Sequence, residues 1–171
     1  MEQKAKPMKE DITIKPLAME DWELATALVW RVFLRCNAKD YEQEGIESFL
    51  NFISDEHLKQ FCRLDEFEMF GAYRGQKPIG VCLLRKTSHI SLLFVETEYQ
   101  KRGIGKELVR YVSALVKQRG GGQLTVNATP FAKAFYEKLG FIMAGEETLK
   151  EGVRYYPMLL KIRTENSSMP C

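Results

Sequence analysis

Cysteine and histidine are scarce in this chain. Cys36, Cys62, Cys82 and Cys171 are the four cysteines of 171 residues, widely separated and without a C-x-x-C pair. That spacing suits reduced thiols better than a disulfide framework or a zinc site, so no metal is expected. His57 and His89 are the only histidines. A charge excess is missing too: 25 Lys and Arg stand against 23 Asp and Glu, for a formal net charge of +2. Nothing global therefore points to nucleic acid as a partner. No apolar run is long enough to span a bilayer, and the opening M-E-Q-K-A-K-P-M-K-E-D lacks the apolar centre of a signal peptide. The expectation is a cytoplasmic protein that binds neither membrane nor nucleic acid. Repeats and low-complexity blocks are absent, and linker-like composition is confined to the ends, including the tail from Arg163. With 45% hydrophobic residues, residues 1–171 should form a single domain with a core over about residues 12–162 and loose ends.

Periodicity supplies the elements. Ile12 to Lys15 alternates like a short strand, and Trp22, Ala25, Leu28, Val29, Val32 and Phe33 fall on one helical face. Ile46, Phe49, Leu50 and Ile53 mark a second helix over 42–53. Two strand-like runs, 67–73 and 79–85, flank R-G-Q-K-P and predict an antiparallel hairpin. His89 to Val95 is apolar on consecutive positions, as in a central strand buried on both faces. Ile104, Leu108, Val112, Leu115 and Val116 then recur at helical spacing up to Gly120-Gly121-Gly122, and 123–127 gives another strand. A strand, a crossover helix and a strand imply a parallel pair. Thr129-Pro130 predicts a helix start with a capping hydroxyl, Gly140 its stop, and Phe131, Phe135 and Leu139 its apolar face. Strands over 141–144 and 154–162 close the chain around a polar loop, with Pro157 suggesting an edge or a bulge. The expected order is β-α-α-β-β-β-α-β-α-β-β.

Between the central strand and the amphipathic helix lies Q-K-R-G-I-G-K-E-L, residues 100–108. A helix that starts at a strand end leaves its first N–H groups unpaired and turns its positive dipole end outward, which suits an anion. Gly103 and Gly105 carry no Cβ to hold a phosphate off those groups, and Lys101, Arg102 and Lys106 add charge at the rim. Isolated G-x-G is a weak signal. A dinucleotide fingerprint would need glycine at Leu108, and a Walker A loop would need glycine at Gln100 and Ser or Thr at Glu107; both registers fail.

The remaining pattern, Q-x-x-G-x-G between a buried strand and an amphipathic helix, resembles the GNAT superfamily of acetyl-CoA-dependent N-acetyltransferases. Downstream V-N-A-T-P-F-A-K-A-F-Y-E-K-L-G-F is similar to the second half of that family's domain, in the family's order. The resemblance covers Ile12 to Ile162. It implies a mixed α/β fold of the α+β type: a single-domain central sheet, mostly antiparallel with a splayed parallel strand pair, and helices on both faces. It implies that main-chain groups of Phe94 and Val95 pair with the pantetheine arm of acetyl-CoA, with Gln100, Lys101, Arg102, Gly103, Ile104, Gly105 and Lys106 around the pyrophosphate. Family members often carry an asparagine seven positions before the helix tyrosine. That place is Thr129 here, and Asn127, the nearest asparagine, is the candidate for a side-chain contact to the pantetheine.

An amine attacks a thioester only when unprotonated, the developing oxyanion needs donors, and the departing thiolate profits from a proton. By the resemblance Tyr136 is the catalytic general acid, and the N–H of Val95 serves the oxyanion. Glu96 is a weak candidate base beside Glu98, His57 and His89. The acceptor amine, on a small molecule or a protein, should enter between the first two helices and residues 145–152; Asp40, Tyr41, Glu42 and Glu44 there read more simply as a solvated acidic turn. A homodimer is a candidate assembly. The rival to an active N-acetyltransferase is a silent acyl-CoA-binding sensor or interaction module, which would not need Tyr136.

Overall fold

A computed structural model describes residues 11–163, with residues 55–57 described as backbone only. The expectation of loose ends and the side chain of His57 therefore lie outside the described residues. Strand β1 (Ile12–Pro16) leads to helices α1 (Trp22–Cys36), α2 (Gln43–Ile53) and α3 (Asp55–Arg63). Strands β2 (Phe67–Arg74), β3 (Lys77–Arg85) and β4 (His89–Val95) follow, then helix α4 (Ile104–Gln118), β5 (Gln123–Ala128) and α5 (Lys133–Lys138). Strands β6 (Ile142–Met143), β7 (Thr148–Lys150) and β8 (Val153–Lys161) close the sheet. Its order is β1-β2-β3-β4-β5-β8-β6, with β7 also on β8. Every pairing is antiparallel except β4 with β5. The mixed, mostly antiparallel sheet with one parallel pair is the architecture the sequence implied.

The helices cover opposite faces because the strands alternate. Val81, Leu83, Met69 and Leu92 join Trp22, Leu28, Val29 and Val32 of α1 in one core, together with Leu58 of α3. Cys82, Leu84, Phe70 and Ile90 face the other way and meet Leu108, Val112 and Val116 of α4. Consecutive residues of β3 and β4 thus serve both cores, the reason the central run reads as continuously apolar.

Two elements go beyond the expected order. Helix α3 follows α2 at once because Ser54 is extended (φ −65°, ψ 144°) and restarts the chain; its apolar residues Leu58, Phe61 and Cys62 are few. Strand β7 lies inside the expected polar loop, and its middle residue, Leu149, faces solvent. Three residues with no buried member leave no apolar alternation to detect. Helix α5 starts at Lys133, later than Thr129-Pro130 suggested, because the Ala132 and Lys133 amides both donate to the Thr129 carbonyl and residues 129–132 form a turn. Phe131 is consequently exposed at 52% rather than on the buried face. Pro157 is neither at an edge nor at a bulge. It sits inside β8 between β5 and β6, where Ala144 N–H donates to its carbonyl and the absent proline N–H ends the β6 ladder.

In α2, Leu50 is 43% exposed while Gly45 is buried, because the turn between β7 and β8 docks on this helix. Glu42 N–H donates to the Gly152 carbonyl at 3.0 Å, and Tyr41 bridges to Val153. A Cβ on Gly152 (φ +77°) would stand 2.7 Å from the Gly45 nitrogen. Gly152→Val should therefore lower stability by about 2 kcal/mol, through dihedral strain and overpacking. Urea denaturation checks this, and an unchanged midpoint would show that the turn does not dock there in solution.

Candidate functional site

Strands β4 and β5 share two register pairs, His89↔Thr125 and Ile90↔Val126, and then part. Each is held from its far side, β4 by β3 and β5 by β8 along all six of its residues. A cavity of about 480 Å³ lies in the gap and extends from the start of α4 to Phe49 of α2.

The register decides which main-chain groups face that gap. Glu96 N–H donates to the Ile79 carbonyl at 2.8 Å, which makes Phe94↔Val81 a hydrogen-bonded pair and Val95↔Gly80 a non-bonded one. Leu93 and Val95 therefore turn their N–H and C=O groups away from β3, toward β5. The Val95 carbonyl accepts from Gln100 Nε2 at 3.0 Å, and its N–H is left without a strand partner. Phe94 departs from expectation, since its main-chain groups belong to β3; it reaches the cavity through its ring.

At the start of α4, Gly103 is the N-cap with φ +85°, and Lys101 is also left-handed at φ +63°. The amides of Lys101 and Gly103 make no backbone hydrogen bond among the described residues. Those of Ile104, Gly105 and Lys106 occupy the first helical turn, where no intrahelical partner exists. Left-handed and right-handed residues in succession gather such amides into an anion-binding concavity. The two glycines differ in what they permit. A Cβ at Gly103 would meet nothing within 4 Å, so the need there is the dihedral; a Cβ at Gly105 would press on the Phe135 ring at 3.2 Å. The bare Cα of Gly105 lines the cavity and also makes room for α5. Lys101 and Lys106 line the cavity. Arg102 does not; its guanidinium lies over the Tyr99 ring at 5.2 Å.

Tyr136, on α5, is 4% exposed and packs edge-on to Phe135 and Phe141, at 5.1 Å from each. It lines the cavity, and its hydroxyl has no hydrogen-bond partner among the described residues. Burial, with a smaller effect from Cys82, pushes its pKa well above the ordinary phenol range. Burial likewise pushes the Cys82 thiol up to about 12. Asn127 is exposed at the end of β5 and lines the same cavity.

The acidic and imidazole candidates lie elsewhere. Both Glu96 oxygens accept from Arg31, from Nε at 2.9 Å and Nη2 at 2.6 Å, a bidentate pair tying β4 to α1. Glu98 is exposed. His89 is at the opposite end of β4 from Val95, its Nδ1 2.7 Å from Thr125 Oγ1, and burial beside Arg85 lowers its pKa.

Asn37 is the residue that sequence patterns passed over. It follows α1, is only 7% exposed, lines the cavity, and donates from Nδ2 to Thr129 Oγ1 at 3.1 Å. The Thr129 hydroxyl is therefore a partner to α1 and no cap of α5. No local pattern marks a bond between residues 92 apart. Beside it Phe33 stacks on Phe49 at 4.0 Å, Tyr41 meets Phe33 edge-on at 4.9 Å, and Phe49 lies 5.9 Å from Phe94. Burial, then Asp40, pushes the Tyr41 phenol up to about 12.

Known proteins share this fold. The family model for the acetyltransferase (GNAT) domain matches residues 37–162, nearly three quarters of the chain. The chain belongs to the GNAT family of acetyltransferases. An uncharacterized N-acetyltransferase of Escherichia coli (strain K12), YafP, is 27% identical over 131 residues, covering 77% of this GNAT chain and 81% of its own length. The crystal structure of a GCN5-related N-acetyltransferase from Rhodopseudomonas palustris superimposes with a TM-score of 0.74 at 25% identity, over 87% of this chain and 94% of that one. The PaiA N-acetyltransferase of Thermoplasma acidophilum, solved in complex with coenzyme A, has the same fold, with a TM-score of 0.75 at 23% identity over 88% and 99% of the two chains. Among the described residues of this GNAT protein no helix is long and apolar enough to cross a membrane.

The burial of Tyr136 can be checked directly. In a spectrophotometric titration the parent and Tyr136→Phe should give the same phenolate curve up to about pH 11, well above the ordinary phenol value. A one-tyrosine step near pH 10 that the variant lacks would show a solvated hydroxyl.

Proposed function

We propose that this chain is an N-acetyltransferase that moves an acetyl group from acetyl-CoA to a primary amine of a small molecule or protein, by direct attack in a ternary complex. One observation carries it: a single cavity is lined by the open amides before α4, by Val95 with its unpartnered N–H, and by the Tyr136 ring. The residues fit coenzyme A. Amides of Lys101 and of residues 103–106, with the side chains of Lys101 and Lys106, suit a pyrophosphate. The outward-turned groups of Leu93 and Val95 suit an extended amide-bearing arm added beside β4, and Asn127 lies within the same cavity. Acetyl-CoA supplies an acetyl thioester whose C–S bond breaks as the N–C bond to the amine forms.

The chain's own groups divide the remaining work. The Val95 N–H donates toward the carbonyl oxygen, where negative charge develops; a donor of this kind is worth about 10²–10³ in rate. Tyr136 stays protonated at every working pH, because burial raises its pKa, and holds a proton for the leaving sulfur. That raised value weakens it as an acid toward water. Toward a thiolate desolvated in the same apolar pocket the mismatch shrinks, since burial raises both values. No carboxylate or histidine lines the cavity among the described residues, and Glu96 is committed to Arg31. The amine's proton passes to solvent.

Tyr136→Phe is expected to keep coenzyme A affinity and to lower turnover at least tenfold, the scale of a lost general acid; unchanged turnover removes Tyr136 from the chemistry. Gly103→Val, which forces a β-branched residue to φ +85°, is expected to weaken coenzyme A binding at least tenfold in calorimetry. Normal affinity would dismiss the cradle. A panel of amines and peptides assayed for thiol release from acetyl-CoA tests the activity itself, and cofactor binding without turnover on any would leave a silent acyl-CoA-binding module.

A further inference from the structure

The end of the cavity away from α4 has a chemistry of its own. Its walls are Val32, Phe49 and Phe94, with Asn37, Tyr41 and Thr129 as the polar groups. The charged residues that line the cavity are Lys101 and Lys106, both at the α4 end. Asp40, Glu42 and Glu44 belong to the neighbouring turn and do not line it, and Glu96 already accepts both bonds of the Arg31 fork. The Tyr41 phenol, pushed up to about 12, stays neutral. A polycation seated here would lose its hydration and meet no counter-charge, and an unpaired buried charge is strongly disfavoured.

What the pocket does offer is ring surface and neutral polar groups, the Asn37 amide among them. Phe49 and Phe94 present their rings tilted at 5.9 Å, and the fully buried Phe33 backs Phe49 from behind, stacked at 4.0 Å. Asn37 is more than nine-tenths buried and spends its Nδ2 on Thr129. Its Oδ1 has no partner among the described residues, and the side chain lines the cavity. That oxygen is open to the cavity rather than sealed among apolar atoms, and an N–H donor from a ligand completes it.

We propose that the acceptor is a monoamine with an apolar, ring-bearing body: the ring lies against Phe49 and Phe94, and the amine N–H donates to Asn37 Oδ1. This rests on the acetyltransferase reading for the reaction, though the seat itself can be tested by binding alone. Aromatic contacts of this type give selectivity for a flat apolar body, and the missing carboxylate gives selectivity against further positive charge.

The experiment is a calorimetric titration of the full chain, with and without saturating coenzyme A, using 2-phenylethylamine and spermidine as probes. 2-Phenylethylamine is expected to bind at least tenfold more tightly than spermidine. Phe49→Leu should weaken it severalfold. In the acetylation assay Asn37→Ala should raise KM for 2-phenylethylamine and leave KM for acetyl-CoA unchanged, a split that a merely structural asparagine would not produce. Equal or tighter spermidine binding, or no binding of 2-phenylethylamine, overturns the proposal. If 2-phenylethylamine binds and is not acetylated, the seat stands and the transferase reading fails. If polyamines or peptide termini are acetylated in preference, the transferase reading stands and the seat fails.

Discussion

A parallel strand pair that parts after two residues leaves main-chain donors and acceptors in the middle of a sheet, where each unpaired and buried group costs about 1–3 kcal/mol. Two stronger allegiances hold β4 and β5 apart: β4 is laddered to β3, and β5 is laddered to β8 over its whole length. Tyr136 and Phe135 of α5 line the gap so created. The sheet therefore cannot close without surrendering a ladder of six pairs, and the cavity is a standing feature of the fold. What a ligand gains there is the hydrogen bonding that the two strands deny each other.

The two ends of that cavity are built from different materials. Near α4 the functional groups are backbone amides, set by two left-handed residues and a helix start. Such a site depends on dihedral angles and little on side-chain identity. At the far end the walls are side chains from α1, α2 and β4, fastened by Asn37 to Thr129 and by Tyr41 and Glu42 to the β7–β8 turn. Changes there alter what fits while leaving the sheet and both cores in place. On the proposed reading the α4 end, which takes the donor, is fixed, and the far end, which takes the acceptor, is adjustable.

The sequence disclosed these two ends unequally, for the same reason. Gly103 and the strand-to-helix step before Ile104 are local, and the buried faces of α1 and α4 repeat every three or four residues, so both showed in the linear pattern. Phe94 was placed in the site with its main chain turned the wrong way, and the packing of Gly105 on α5 went unseen, because strand register and helix packing are set by partners such as Val81 and Phe135 that lie far along the chain. Helix α3 and strand β7 were hidden by short length and sparse apolar content. Asn37 was invisible for a simpler reason: a lone asparagine after a helix is unremarkable until Thr129 arrives beside it.

Gln100 has a consequence for anything that docks on β4. Its amide caps the Val95 carbonyl, whereas Leu93 keeps both of its main-chain groups turned outward by the register. An extended ligand added to this edge meets a donor and an acceptor at Leu93 but only a donor at Val95. It cannot slide two residues along the strand without setting one of its own N–H groups against an acceptor already taken. The edge behaves as a ruler with an end-stop, which fixes how far along the cavity the last carbonyl of a docked arm can reach.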